Sequence, residues 1–294
     1  MWFKNLLAYR VPVGWSLTPE ELEKKPLIGC GSFDESARGW IAPYANSSLI
    51  KQVGQHQLIC LGIESKVLPA SVVKHEVEER ARAIEEDQGY KPGRKQTQEL
   101  RDNVTAELLA QAFIVRRRTF AWIDTQNGWL VVDASSSAKA EEVLEHLRQT
   151  LDQLPLSLLR TAITPTTAMA QWLAEGEAPD GFTIDQSCIL QSVTEDHAKV
   201  RYDNHSLSGD EIKEHLQSCK MPTRLALTFD ERISFVLTEK LEIKRLDFLD
   251  IVRDQIGDEE DSGTLFDAEF ALMAGEASQL LNALVSALGG EVEQ

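Results

Sequence analysis

Three consecutive arginines, Arg116, Arg117 and Arg118, form the most distinctive charged group in the sequence. Guanidinium groups stay charged at any physiological pH and bind phosphate or carboxylate oxygens through paired hydrogen bonds. Adjacent like charges repel each other, so such a run needs either acidic partners on a solvated surface or an anionic ligand. The run is therefore a candidate anion-binding site, and the solvated surface is the alternative.

The arginines belong to a longer basic window. Residues 91–118 contain seven bases and three acids, whereas the whole chain has a formal net charge of -17. Salt screens each charge within about 8–10 Å, so the local surplus decides where an anion binds. A helix of about 16 residues would separate the two ends of the window by about 24 Å. That distance suits a track along a polyanion and not a pocket for one small phosphate. The basic residues at the start of the window are Lys91, Arg94 and Lys95.

Strand alternation constrains the arginines further. In an extended segment, Arg116 and Arg118 share one face and Arg117 lies on the other. Phe120 and Trp122 continue the face of the first two. Two large aromatic side chains predict that this face turns inward. We therefore expect Arg117 to point toward solvent from its sheet.

A helical hairpin is predicted to carry the first basic group. Residues 68–88 and 97–113 both repeat apolar side chains at helical spacing, and Ser71 is a candidate cap for the first helix. The stretch 89–95 between them contains two glycines and a proline and predicts a loop. The basic residues of this loop would then lie at the tip of the hairpin.

The remaining patterns predict a mixture of strands and helices. Asn127-Gly128 between two apolar runs indicates a strand–turn–strand unit. Residues 137–154 follow as an amphipathic helix, and prolines at 155, 165 and 179 suggest a looser connector. Ser208 and Glu211 have capping-box spacing before another helix. Further strands are predicted at 56–63, 197–202, 224–229, 233–238 and 243–249, and a last helix at 266–288 ends at two glycines.

These elements predict an α+β fold with antiparallel sheets, packed helices and a helical hairpin. We divide the chain into a strand-rich part (1–65), a part with the helical hairpin, the basic strand and the following hairpin and helix (66–154), a second α+β lobe (155–265), and a C-terminal helix packed back on the core (266–294). The acidic run 257–263 predicts a solvated loop.

Most common catalytic motifs are absent from the sequence. It contains no complete phosphate-binding loop and no nucleophile elbow. One enzyme alternative remains, in which Asp230, Glu242 and Lys244 imitate the acid and Glu-x-Lys arrangement of Mg²⁺-dependent nucleases. A second alternative is a module that binds only proteins. We expect no cofactor and no metal, because the four cysteines are widely spaced and no histidines cluster.

Targeting signals are also absent. No apolar stretch approaches the roughly 18–20 residues of a membrane span, and the first fifteen residues do not have the layout of a signal peptide. We therefore expect a cytoplasmic chain with no membrane partner.

Several segments in order along the chain resemble the recombination-associated RdgC family. They cover nearly the whole sequence and are MWFKN, KVLPASVVK (66–74), LLAQAF (108–113), WIDTQNG (122–128), SAKAEEVLEHLR (137–148), FDAEFALMAGE (266–276) and LGGE.

The resemblance implies a nucleoid-associated protein without enzymatic activity. Such a protein forms a ring-shaped homodimer around duplex DNA, binds without strong sequence preference and restrains RecA-dependent recombination; single-stranded DNA is a further candidate ligand. A basic ring interior under an acidic exterior would accommodate both the arginines and the net charge.

The resemblance also implies roles for individual residues. Lys66 and Lys74 match basic positions of the family, as do Lys91, Arg94 and Lys95 in the region between the helices, and Phe113 matches an aromatic residue associated with a subunit contact. The segment around Asn204 and His205 departs from the family pattern, which leaves the role of that loop open.

Overall fold

The computed structural model describes residues 1–45, 47–194, 197–257 and 261–292, and these ranges contain twelve strands and eight helices. The strands are β1 (Leu7–Arg10), β2 (Ser36–Ile41), β3 (Ile50–Val53), β4 (His56–Val67), β5 (Phe113–Asp124), β6 (Trp129–Val132), β7 (Ser157–Leu158), β8 (Phe182–Ser192), β9 (Lys199–Asp203), β10 (Lys220–Phe229), β11 (Ile233–Thr238) and β12 (Ile243–Phe248). The helices are α1 (Pro19–Leu22), α2 (Ala70–Gln88), α3 (Arg94–Gln111), α4 (Ser137–Thr150), α5 (Pro165–Glu175), α6 (Asp210–Gln217), α7 (Asp250–Arg253) and α8 (Ser262–Ala287).

Two antiparallel sheets form the framework, which confirms the α+β prediction. The first sheet has the order β2-β4-β5-β6-β1-β7, with β3 also paired to β4. The second sheet has the order β12-β11-β10-β8-β9. A bridge between Leu6 and Ile243 joins the two sheets near the start of the chain.

The first sheet is buried on both faces around β5 and β6. Ala121 and Ile123 pack with Val143 and Leu147 of α4 in one hydrophobic cluster. Trp122, on the opposite face, belongs to a larger cluster that the second sheet, α5 and α8 complete. Alternate residues of a strand point to opposite faces, so one apolar run supplies both cores.

Helix α8 connects the two sheets through polar contacts as well as apolar packing. Ser278 donates a hydrogen bond of 2.7 Å to the Asp124 carboxylate at the end of β5, and Trp129 of β6 donates its indole N–H to Asn282 at 3.1 Å. On the other side, Glu276 forms an ion pair with Arg232, next to β11. The apolar side chains along this helix are buried, with Phe270, Met273, Ala277, Leu281, Leu284 and Leu288 in the core.

The predicted helical hairpin is present and is inserted into the long β4–β5 pair. β4 and β5 are paired from His56↔Asp124 to Val67↔Phe113, and α2 and α3 connect their distal ends. The hairpin has a small core of its own, built on Val73, Val77 and Val104. It is therefore an arm held mainly by the two strands.

Some local predictions were wrong. The cap of α2 is Pro69 and not Ser71, and the cap of α6 is Gly209 with no side-chain hydrogen bond, although Ser208 was predicted. The proline-containing connector holds α5, since Pro165 occupies its first turn, where a missing N–H costs nothing. The long strand β8 was also not predicted. Part of the predicted acidic loop at 257–263 lies outside the described residues.

Within the described ranges, no helix has the length and apolar character needed to cross a lipid bilayer.

Candidate nucleic-acid interface

The distal half of the β4–β5 pair positions the three arginines. Cross-strand register places Arg116 opposite Glu64, Arg117 opposite Ile63 and Arg118 opposite Gly62. Strand β6 pairs with β5 only at residues 121–124, so no described strand covers the other edge of β5 beside the arginines. The arginine run therefore lies on the part of the β4–β5 pair that extends beyond the hydrophobic core.

Arg116 is held by a buried carboxylate. Its Nε donates to Glu64 Oε1 at 2.9 Å, while its own side chain is 78% exposed. Glu64 also accepts the backbone N–H of Cys30 at 3.0 Å. That backbone hydrogen bond, followed by the bond from Arg116, holds the pKa of Glu64 below its usual value. Arg116 is thus oriented by Glu64 but still presents most of its surface to solvent.

Arg117 points toward α4, with 41% of its side chain still exposed, so the predicted solvent-facing position is observed only in part. Its guanidinium forms an ion pair with Glu142 of α4, and its Nε is buried without a hydrogen-bond partner. The face of β5 that carries Arg117 is the one that α4 covers, since Ala121 packs there against the helix. The alternation of side chains along a strand correctly placed Arg117 on the opposite face from Arg116 and Arg118. It could not show which helix covers that face.

Arg118 is the free member of the run. Its side chain is exposed, and it makes no ion pair with any residue in the described part of the chain. It shares the face of Arg116 and of the buried Trp122, as predicted. Of the three arginines, it is the one that can contact an anion without first releasing a carboxylate.

A second group of basic residues lines two adjoining clefts of the helical hairpin. One cleft of about 420 Å³ is bordered by Lys74, Arg94 and Arg101. The other, of about 490 Å³, is bordered by Lys66 and again by Arg101. Arg101 therefore connects the clefts into one groove, with Glu78 and Glu35 as the acidic residues at its walls.

Arg101 was counted in the basic window but was not chosen as a site residue. Its spacing of seven from Arg94 places both on one side of α3, which is the signal that could have identified it. Its exposed side chain makes no ion pair with the described residues. We therefore add Arg101 to the candidate interface.

The other predicted bases differ in how they are held. Lys91 and Arg94 are exposed and have no ion-pair partner among the described residues. Lys74 and Lys95 face Glu78 and Glu99 at 3.8 and 3.9 Å within their own helices. Lys66 donates to the carbonyl oxygens of Gly31 and Ser32, at 2.7 Å each. Exposed ion pairs such as those of Lys74 and Lys95 are weak, so a phosphate group can displace the glutamates.

The hairpin as a whole is not strongly basic. Helix α2 brings six acids and three bases, so residues 70–118 together hold ten bases and nine acids. Arg80 of α2 is held by Glu76 and by Glu107 of α3, at 2.7 and 2.8 Å. The positive surface is therefore limited to the groove and to the exposed bases at the two ends of the basic window 91–118. The rest of the arm is not positive.

Phe113 lies at the distal end of β5 and is 87% exposed. Its neighbours Val67, Ile114 and Val115 are exposed as well. An apolar group of this kind at a strand end is typical of a protein contact. Because Val67 pairs directly with Phe113, the two strands offer one continuous apolar end.

The residues of the nuclease alternative are not brought together. Lys244 Nζ lies 3.2 Å from Glu242 Oε2, near the start of β12. Asp230 lies in the turn between β10 and β11, at the other end of the six-residue strand β11. At about 3.3 Å per residue, the backbones of Asp230 and Glu242 are separated by roughly 20 Å along the strand. In addition, the described residues contain no group of three His, Cys, Asp or Glu side chains with metal-binding geometry.

Comparison with known proteins identifies the family. A family model described as "RdgC: Putative exonuclease, RdgC" matches residues 1–291. The chain belongs to the RdgC family. It is 52% identical to the recombination-associated protein RdgC of Dechloromonas aromatica, over 99% of both chains. It is 45% identical to that of Herminiimonas arsenicoxydans and 46% identical to that of Cupriavidus pinatubonensis, again over 99% of both chains.

The two kinds of RdgC description point in different directions. The family model names an exonuclease, whereas the curated relatives are named for an association with recombination and for no catalytic activity. The chain is thus a member of a recombination-associated family, and its own residues must indicate how it acts.

Proposed function

We propose that the chain binds duplex DNA without sequence preference, as a homodimer that encircles the duplex, and that it thereby restrains RecA-dependent recombination. The observation that carries this proposal is the set of exposed cations without ion-pair partners among the described residues. Four of them lie in the basic window 91–118, namely Lys91, Arg94, Arg101 and Arg118. They belong to a window with seven bases and three acids in a chain whose net charge is -17, and this local surplus of positive charge supports an anionic ligand.

The arrangement of these cations favours a polyanion over a small ligand. Helix α3 has 18 residues, so Arg94 and the arginine run are separated by about 27 Å. B-DNA offers one phosphate charge per roughly 1.7 Å of its axis and can meet cations along that whole length. Nothing in the sequence resembles a recognition helix that reads base edges, which supports binding through the DNA backbone.

The apolar end at Phe113 supports the dimer. A two-fold contact buries the same surface of both subunits, so one exposed aromatic residue can be covered by its own copy. Two copies also double the number of cations along the duplex. The comparisons with RdgC relatives add the association with recombination, and the encircled duplex would be less available to recombinase filaments.

A salt titration tests the proposal. If the dimer neutralises about 6–10 phosphates, affinity for duplex DNA falls about 10³–10⁵-fold between 50 and 200 mM salt. The charge reversal Arg94→Glu/Arg101→Glu/Arg118→Glu abolishes binding and leaves the circular dichroism spectrum unchanged. A salt-independent affinity, or a strong preference for one sequence, would contradict nonspecific binding through phosphates.

The same samples separate the two rival functions. On our proposal, linear duplex DNA stays intact after long incubation with Mg²⁺, whereas a nuclease would cut it and Glu242→Ala would stop the cutting. A protein-only module would retain RecA after nuclease treatment and in the charge-reversed variant. On our proposal, the effect on RecA is lost with DNA binding.

A further inference from the structure

The outer face of the second sheet carries a second group of basic side chains, away from the helical hairpin. Arg201 of β9, Arg224 of β10, and Lys244 and Arg245 of β12 line one cleft over the sheet. Register places Arg201 and Arg224 on either side of the same residue, Ile189 of β8. Four cations from three strands therefore converge on one place.

A bulge in β12 contributes two of the four. Strand pairing shifts between Ser234 and Val236, so Phe235 is opposed by both Arg245 and Leu246. Arg245 has φ +50°, a left-handed conformation that is uncommon for a residue with a long side chain. Ile243 and Leu246 both point into the core, so the bulge lets two consecutive residues, Lys244 and Arg245, line the cleft. Arg245 is exposed, whereas the Lys244 side chain is mostly buried and donates to the carbonyl oxygen of Ala134 at 3.3 Å.

The cations of this face exceed the acids that neutralise them. Glu242 pairs with Lys244 at 3.2 Å, and Asp203 pairs with Arg201 at 2.5 Å. Arg224 and Arg245 are exposed and have no carboxylate within ion-pair distance among the described residues. The pKa of Asp203 is held below its usual value by Arg201 first. Arg201 and Arg245, from opposite edges of the sheet, line the same cleft.

The size of the cleft limits what it can bind. It offers about 40 Å³ to solvent, which corresponds to roughly three water molecules. A nucleobase does not fit in such a space, but a phosphate group held by guanidinium forks does. Bulges that redirect side chains are frequent at functional sites, and strained residues persist where the surroundings or a function require them.

We infer that this cleft is a second contact for the DNA backbone, in which Arg224 and Arg245 bind phosphate and Arg201 and Lys244 add to the positive field. This inference rests on the proposed function, since it assigns a further surface to the same ligand. It predicts that the track on DNA includes the second sheet as well as the arm.

The experiment compares duplex binding by three proteins across a salt series. The test variant is Arg224→Gln/Arg245→Gln, in which both side chains remain polar and of similar length. The matched control is Arg148→Gln/Arg160→Gln, which removes the same charge from two exposed positions outside the cleft. Inorganic phosphate replaces chloride in a parallel series at equal ionic strength, and each protein is sized by gel filtration.

The inference predicts that the test variant binds duplex about 10- to 100-fold more weakly at 0.1 M salt and that the slope of log affinity against log salt falls by about 1.8 per subunit. The control keeps the wild-type slope. If the test and control variants have equal salt slopes while wild-type binding depends on salt, the second contact is overturned and the proposed function stands. A wild type that does not bind duplex would overturn both.

Two further outcomes also overturn the inference. A test variant that changes its oligomeric state but not its slope assigns the cleft to a protein contact. A variant that differs from wild type only in the phosphate series assigns it to free phosphate.

Discussion

The three neighbouring arginines differ in how firmly a carboxylate holds each of them. Arg117 is tied to Glu142 beneath α4, Arg116 shares a buried Glu64 with a backbone N–H, and Arg118 has no such partner in the described residues. Three arginines that look equivalent in the sequence therefore lie in three different environments in the structure. Only the residue with no competing carboxylate gains a full ion pair when phosphate arrives.

The first prediction separates Arg118 from Arg117. Arg118→Gln reduces the salt slope of duplex binding by about 0.9, since one phosphate contact is lost. Arg117→Gln leaves the slope unchanged, because Glu142 already neutralises that guanidinium. Gel shifts from 50 to 200 mM salt measure both slopes, with Arg148→Gln as control. An equal loss in the two variants would show that Glu142 releases Arg117 on binding.

A second prediction concerns the buried carboxylate of Asp124. Burial alone would raise its pKa, but hydrogen bonds from Asn127 and Ser278 outweigh burial and hold the pKa below its usual value. Ser278→Ala removes one donor and lowers the free energy of unfolding at pH 7 by about 1–3 kcal/mol. A carboxylate with a lowered pKa stabilises the fold above its unfolded pKa, near 3.8, and loses that contribution as pH falls through the folded value.

Urea unfolding at a series of pH values between 7 and 3 checks this sign. The difference between wild type and Ser278→Ala is largest above pH 4 and narrows toward pH 3. A difference that grows with acidity would mean that Ser278 stabilises the protonated acid.

Among the described helices, α2 and α3 together bury the fewest side chains for their length. Only Val73, Val77, Val104 and Leu109 are buried on its two helices, whereas nine side chains of α8 are. Most helical stability in proteins comes from packing of an apolar face. The arm that carries the cationic groove should therefore open locally more often than the sheets do.

Hydrogen exchange tests this third prediction. Amides of residues 72–111 exchange faster than those of β4 and α8, and Val104→Ala raises exchange in the arm without changing α8. Loss of two buried methyl groups costs about 1.5 kcal/mol or more, which corresponds to at least a tenfold rise. Met273→Ala in α8 is the matched control, since it raises exchange in both sheets. Uniform protection throughout the chain would contradict an arm that opens independently.

Sequence patterns located most elements because their signals are local. Asn127-Gly128 requires a tight turn, and Gly128 has the left-handed φ of +69° that this turn uses. The start of α5 does carry a local signal, since Thr164 caps the helix and Pro165 follows in its first turn, and the prediction missed that signal. Other failures came from contacts distant in sequence. Nothing near Arg117, by contrast, shows that α4 lies against its face. The β12 bulge depends on pairing with β11, so spacing alone could not place Lys244 and Arg245 together.

For the whole molecule, the distribution of charge matters more than the total. An acidic chain repels DNA at a distance, yet within a Debye length the local positive charge of the groove, with Arg94 and Arg101 unpaired among the described residues, dominates. The groove on the arm and the cleft on the second sheet are two separate cationic surfaces of one chain. A two-fold assembly would present four such surfaces to one duplex, provided that the subunits meet through the apolar end at Phe113.

The fourth prediction therefore addresses assembly. Phe113→Glu places a charge in the proposed contact and shifts the protein from dimer to monomer in sedimentation velocity, with at least a tenfold weaker duplex affinity at 0.1 M salt. The control, Val13→Glu, places the same charge at a valine that is 75% exposed and leaves both measurements unchanged. A Phe113→Glu variant that remains dimeric would place the subunit contact elsewhere.

The position of α8 also constrains how the protein is made. Both sheets turn apolar faces toward this helix, and Asp124 and Arg232 take their partners from it. During translation every strand emerges from the ribosome before α8 does. Until residues 262–287 have been synthesised, the nascent chain lacks the apolar surface and the polar partners that α8 supplies, and chaperones can bind the exposed part of the two sheets in that interval.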